Sequence, residues 1–166
     1  DNDGWLDLLV TGNSNGEKAS ALYQNDNGSF SQVINAGLPA ISHGAIAKAD
    51  FDSDGSTDLL ITGYSTDGLV SDVYRYTGNA EQLFDAQSND FESIWLSSAA
   101  AGDINNNGWP DAVAAGETIG GKRVTDLYFN TNGSFQTTTN SFAGVRTVSL
   151  DLGDYDDDGD LDLALA

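Results

Sequence analysis

Residues 50–63 read DFDSDGSTDLLITG. Carboxylates stand at Asp50, Asp52, Asp54 and Asp58, Gly55 permits a sharp turn, and an apolar run follows at once. Like charges crowded so closely repel, so the stretch calls for a positive partner among them. Counted from Asp50, carboxylates fall at positions 1, 3, 5 and 9, with glycine at position 6. Alternate positions on a tightly curled backbone aim successive oxygens inward. A backbone carbonyl near position 7 then completes a cage of about six or seven oxygens. Hard oxygen donors in that number select calcium over zinc and, less strictly, over magnesium. An EF-hand begins the same way, but it closes with a bidentate Glu at position 12 between two helices. Here position 12 is Ile61, and the cage is expected to close between two strands of a hairpin.

The same phrase occurs four times: DNDGWLDLLVTG from residue 1, DFDSDGSTDLLITG from 50, DINNNGWPDAVAAG from 103 and DYDDDGDLDLALA from 154. Its glycines, Gly4, Gly55, Gly108 and Gly159, are spaced by 51, 53 and 51 residues. A Leu/Val-Tyr pair keeps the same interval at Tyr23, Tyr74 and Tyr128, and an aromatic follows at Phe30, Phe84 and Phe135. A period near 50 with several short strands per unit is that of a β-propeller blade, and no 3.6-residue patterning points to helical repeats.

Four strands fit each unit. The first is small and apolar (Ala45–Ala49, Ala99–Ala101), and the second follows the acidic loop (Leu59–Thr62, Ala112–Ala115). The third holds the tyrosine, and the fourth holds the phenylalanine after an Asn-Gly or Gly-Asn turn. Small residues suit a strand crowded at a central axis. The unbroken Leu59-Leu60-Ile61 run suits a strand covered on both faces by neighbouring blades. The expected fold is all-β, built of four-stranded antiparallel blades.

Composition narrows the partners. Asp plus Glu number 26 against 6 Lys plus Arg, a formal charge of −20, which repels nucleic acid and anionic membrane surfaces and favours cations. Most of the acids are Asp, a residue of turns and oxygen-donor metal loops. Without cysteine there is no disulfide, thiolate zinc site or thiol nucleophile. No apolar run is long enough to insert in a bilayer as a helix.

The pattern D-x-[DN]-x-[DN]-G-x-x-D-[LA], recurring in phase with an LY strand and an NGSF turn, resembles the FG-GAP/VCBS repeat family. The resemblance spans essentially the whole chain. It implies the integrin-α-like propeller, with calcium in the loop between the first two strands of a blade. Carried over by position, it implies as ligands Asp50, Asp52, Asp54, the Ser56 carbonyl and Asp58 in the second repeat. In the third they are Asp103, Asn105, Asn107, the Trp109 carbonyl and Asp111. In the fourth they are Asp154, Asp156, Asp158, the Asp160 carbonyl and Asp162. The first repeat offers Asp1, Asp3, the Trp5 carbonyl and Asp7, one ligand short. The third loop has two carboxylates where the second and fourth have four each, so it is expected to bind calcium most weakly.

Other candidates read more blandly. His43, the single histidine, stands just before the expected first strand with no evident Asp or Ser partner, and reads as a loop or packing residue. Trp5 and Trp109 follow the loop glycine and either pack across adjacent loops or stack on sugars at a rim. Asn27 and Asn132 are formal glycosylation acceptors that also sit where a hairpin turn demands Asn-Gly.

Counted from the calcium loop, the repeats run 1–49 (first strand missing), 50–102, 103–153 and 154–166 (incomplete), making one partial propeller of about three blades. A closed ring usually needs at least 4 blades, so the chain reads as a piece of a larger propeller, its open faces packing on the remainder or on another copy. The expected function is a secreted or cell-surface calcium-binding scaffold for adhesion or recognition of a protein or glycan ligand, without catalysis. The alternatives are a lectin-type propeller and the non-catalytic propeller of a secreted polysaccharide-degrading enzyme.

Overall fold

A computed structural model describes residues 3–138 and 142–166; Asp1 lies outside the described residues. Every regular element among them is a strand. The first sheet comprises β1 (Leu8–Ser14), β2 (Glu17–Asp26) and β3 (Ser29–Gln32). The second comprises β4 (Ile41–Ala49), β5 (Asp58–Ser65), β6 (Gly68–Asn79) and β7 (Gln82–Gln87). The third holds β8 (Trp95–Gly102), β9 (Asp111–Glu117), β10 (Arg123–Thr131) and β11 (Ser134–Thr137), and the fourth holds β12 (Leu150–Gly153) and β13 (Asp162–Leu165). Each strand pairs antiparallel with its chain neighbour, the meander of a propeller blade.

The strand after each acidic loop is a packed layer. Leu59, Leu60 and Ile61 are at most 8% exposed. Side chains alternate across a strand, so they face opposite ways. Leu60 joins Ala47, Phe51 and Val73 against Ala112 and Tyr128 of the third sheet. Leu59 and Ile61 join Tyr74 and Phe84 against Leu9 and Leu22 of the first. One sheet further on, Ala112 faces back to the second sheet, while Val113 and Ala115 meet Leu150, Leu163 and Leu165 of the fourth. Sheets therefore stack face to face, as the unbroken apolar run implies.

The inner strands β4 and β8 lie against each other. Ala47, Ala49, Ala99 and Ala101 line that approach, where larger side chains would hold the backbones apart. Phe51, at position 2 of its loop and fully buried, is the knob between the second and third sheets. Its ring meets Phe135 edge-on at 5.5 Å, and Phe91 tilts over Tyr128 at 4.2 Å. Ile104 is the same knob toward the fourth sheet.

The Asn-Gly turns have positive φ at both residues, 49° and 91° at Asn27-Gly28 and 54° and 75° at Asn132-Gly133. That is the tight hairpin turn whose twist matches the flanking strands. His43 lies inside β4, not before it. It sits with φ 52° at a bulge between Ser42 and Ala45, and Leu96 takes φ 47° at the matching bulge of β8. Histidine and leucine share no turn propensity, so the bulge leaves no compositional trace.

Candidate metal centres

The acidic loops are the connections β4–β5, β8–β9 and β12–β13, with a fourth leading into β1. The three complete loops share one backbone path. Position 4 is left-handed in each (Ser53 φ 56°, Asn106 φ 55°, Asp157 φ 58°), and position 6 is a glycine at φ 88° to 94° (Gly55, Gly108, Gly159). Ser, Asn and Asp tolerate the first conformation, and the second favours glycine.

The carboxylates hold this path. At position 1, Asp50 accepts the Asp54 and Gly55 amides at 3.0 and 2.9 Å. Asp103 does the same for Asn107 and Gly108 at 2.9 and 2.7 Å, and Asp154 for Asp158 and Gly159 at 3.1 and 2.9 Å. At position 5, Asp3, Asp54, Asn107 and Asp158 accept the amides of Trp5, Ser56, Trp109 and Asp160, at 2.7 to 2.9 Å.

Position 9 reaches furthest. Asp58 is fully buried; its Oδ2 accepts the Phe51 amide at 3.0 Å and its Oδ1 the Tyr76 amide of β6 at 2.9 Å. Asp111, also fully buried, takes Ile104 at 3.0 Å and Asn130 at 2.8 Å. Asp7 takes Asn25 at 2.9 Å, and Asp162 takes Tyr155 at 3.0 Å. In the first three loops the last acid thus ties the loop to the strand that carries the recurring tyrosine, β2, β6 or β10, whereas Asp162 bonds within its own loop. Burial pushes the Asp58 and Asp111 carboxyls above their ordinary range, the Tyr76 and Asn130 amides pull them down, and neighbouring loop carboxylates push them up again.

Ligand oxygens of Asp50, Asp52 and Asp58 lie within 4.8 Å of one another, as do those of Asp154, Asp156 and Asp162. Asp54 and Asp158 are outside these trios. Asn105 and Asn107 replace acids in the third loop, leaving Asp103 and Asp111 as its carboxylates; Asn107 also donates from Nδ2 to the Asn130 carbonyl at 2.9 Å. The donor sets fit a hard divalent cation, and Asp52 adds a sign of it, since its Oδ1 is buried without a hydrogen-bond partner among the described residues. The repulsion posed by the sequence thus has a place for its answer.

Sequence reasoning missed the braces on the tyrosine-bearing strands β2, β6 and β10, namely Asn25, Tyr76 and Asn130. Each lies two residues after the recurring tyrosine, so their phase could have revealed them. Their residue types could not, because the backbone N–H does the bonding. Asn130, fully buried, also donates from Nδ2 to Phe51 O and Pro110 O at 2.8 and 2.9 Å, joining two sheets. Arg75, 3.4 Å from Asp52, carried no repeat signal.

His43 meets Trp95 edge-on at 5.9 Å, with the Ser42 hydroxyl 3.2 Å from Nδ1. Trp5 is 49% exposed at a cleft of about 850 Å³ between the first and second sheets; Trp109 is half-buried. No helix among the described residues is long and apolar enough to cross a membrane.

No curated protein matches the chain. The FG-GAP-like repeat family matches three overlapping segments, residues 1–61, 50–114 and 103–165. Successive matches start at an acidic loop and run into the strand after the next one, so they follow the stacked sheets. On that coverage, together with the blade-like meanders and their shared loop geometry, the chain belongs to the FG-GAP-like repeat family.

Proposed function

We propose that this chain is a calcium-stabilised, extracellular β-propeller scaffold serving adhesion or ligand recognition, with the metal in a structural role and no catalysis of its own. The observation that carries the reading is the convergence of Asp50, Asp52 and Asp58, and of Asp154, Asp156 and Asp162, on loops with identical backbone paths. In the second loop Asp50, Asp52, Asp54, Ser56 and Asp58 would hold the ion. The third would use Asp103, Asn105, Asn107, Trp109 and Asp111, and the fourth Asp154, Asp156, Asp158, Asp160 and Asp162, with Asp3, Trp5 and Asp7 contributing to a partial first site. The ion neutralises clustered charge and pins the first two strands of a blade. Extracellular modules of this kind bind calcium at roughly 10⁻⁴ to 10⁻³ M, a supply found outside cells. A ligand bound only by the folded state raises stability by mass action, so melting with calcium and with chelator tests the reading: equal midpoints would refute it.

A second reading, glycan recognition, is favoured by the cleft where half-exposed Trp5 stands with Tyr76, Gln24 and Lys48. Aromatic faces beside polar groups suit sugar rings. Glycan-array binding that disappears in Trp5→Ala supports it; an empty array removes it.

A further inference from the structure

We propose that Arg75 is a built-in counter-cation that sets the calcium affinity of the second loop and links that loop's state to the third sheet. The inference rests on the calcium reading above. Arg75 Nε lies 3.4 Å from Asp52 Oδ2, with side chains 31% and 22% exposed. Its Nη2 donates to the Gly133 carbonyl at 3.2 Å, in the turn joining β10 to β11. Gly133 packs on this pair so closely that a Cβ there would stand 2.3 Å from Arg75 Nη2 and 3.5 Å from the Asp52 Cβ. One Asp52 oxygen therefore faces the guanidinium, while the other, Oδ1, is buried without a hydrogen-bond partner among the described residues and remains for an ion. The residue after the third-strand tyrosine is Gln24, Arg75 and Phe129 in successive repeats, so the second loop alone of these three has a cation at that place.

Two effects of Arg75 oppose each other. Holding Asp52 in position would favour metal binding, as outer-sphere hydrogen bonds do. The positive charge acts the other way: it relieves carboxylate repulsion while the loop is metal-free and is repelled once a dication arrives. The geometry decides between them. Arg75 Nε makes no hydrogen bond among the described residues, so its grip on Asp52 at 3.4 Å is weak and directionless, and charge prevails. A group that stabilises the free form more than the bound form lowers affinity. The second loop is therefore weaker than the fourth although both have four acids; among the described residues no ion pair reaches 154–162. For a partly exposed pair the factor is about fivefold. Calcium also loosens the Arg75 contact to Gly133, so the neighbouring turn senses the ion.

Calcium titration of the whole chain followed by amide NMR resolves the loops, because Gly55, Gly108 and Gly159 each donate to the position-1 carboxylate of their own loop. Arg75→Gln should tighten the Gly55 titration about fivefold and leave Gly159 unchanged. Arg75→Lys, which keeps the charge, should resemble the wild type, and Arg75→Met should repeat the result of Arg75→Gln if that variant folds poorly. The Gly133 amide should follow the second loop in the wild type and cease to do so in Arg75→Gln. Unchanged Gly55 affinity on loss of charge, or equal tightening in Arg75→Lys, overturns the proposal. If no loop glycine titrates in the wild type, the calcium reading itself falls instead.

Discussion

Asp58→Ala separates the two tasks of the last loop acid. In the absence of metal, Asp58 accepts the Phe51 amide at 3.0 Å and the Tyr76 amide at 2.9 Å. Removing it orphans both donors, and a buried unsatisfied donor costs about 1–3 kcal/mol. Against this, the variant escapes the burial of a charge and its repulsion from Asp52 and Asp54, which together push the Asp58 carboxyl up. Phe51 is fully buried, so its amide bears the full penalty, while Tyr76 is only half-buried. The balance is a loss of about 2 kcal/mol in chelator, or roughly 4–8 °C in melting temperature for a chain of this size. Asp156→Asn, in an exposed loop position, should leave the chelated protein unchanged or slightly more stable and lose stability only in calcium. Parallel urea and thermal melts of both variants, with and without calcium, read the difference. If Asp58→Ala cost nothing in chelator and lost stability only with calcium, the bracing role assigned to position 9 would be wrong.

Three further outcomes follow from the packing and the charge. Phe51→Ala should cost about 3–5 kcal/mol by emptying the pocket between the second and third sheets, whereas Tyr155→Ala, at the same loop position but 91% exposed, should cost almost nothing; equal losses in chemical denaturation would deny the knob its role. Asn130→Ala should cost about 2–4 kcal/mol, because it strands the Phe51 and Pro110 carbonyls, and a neutral result would count against the inter-sheet tie. Burial pushes the Asp72 and Asp126 carboxyls above their ordinary 3.8. A raised folded value means the native state holds its proton more tightly, so the penalty is absent below the unfolded value and grows as pH rises through the folded one. With a net charge of −20 acting in the same sense, the chelated chain should melt higher at about pH 4, near the unfolded value, than at pH 7; a lower midpoint at the acidic pH would contradict this.

The loops were legible because their chemistry is written in side chains: alternate acids, a glycine where φ is positive, and an apolar strand behind them. Leu59-Leu60-Ile61 announced a strand covered on both faces for a similar reason, since period-2 alternation disappears when both sides are buried. What stayed hidden depends on backbone or on one repeat alone. The amides of Asn25, Tyr76 and Asn130 brace the loops whatever their side chains are. Phe51, Ile104 and Tyr155 occupy one loop position, yet only their structural context separates the packed Phe51 and Ile104 from an exposed tyrosine. The bulge at His43 and Leu96 has no shared residue type, and Arg75 breaks the repeat, so periodicity passes over it.

Calorimetric titration of the chelator-treated chain with calcium addresses the central claim most directly. Saturable binding of one ion per complete loop is predicted, with residues 103–111 filling last because two of their donors are amides. No saturable uptake at millimolar calcium, or first occupancy of that amide-bearing loop, would contradict it.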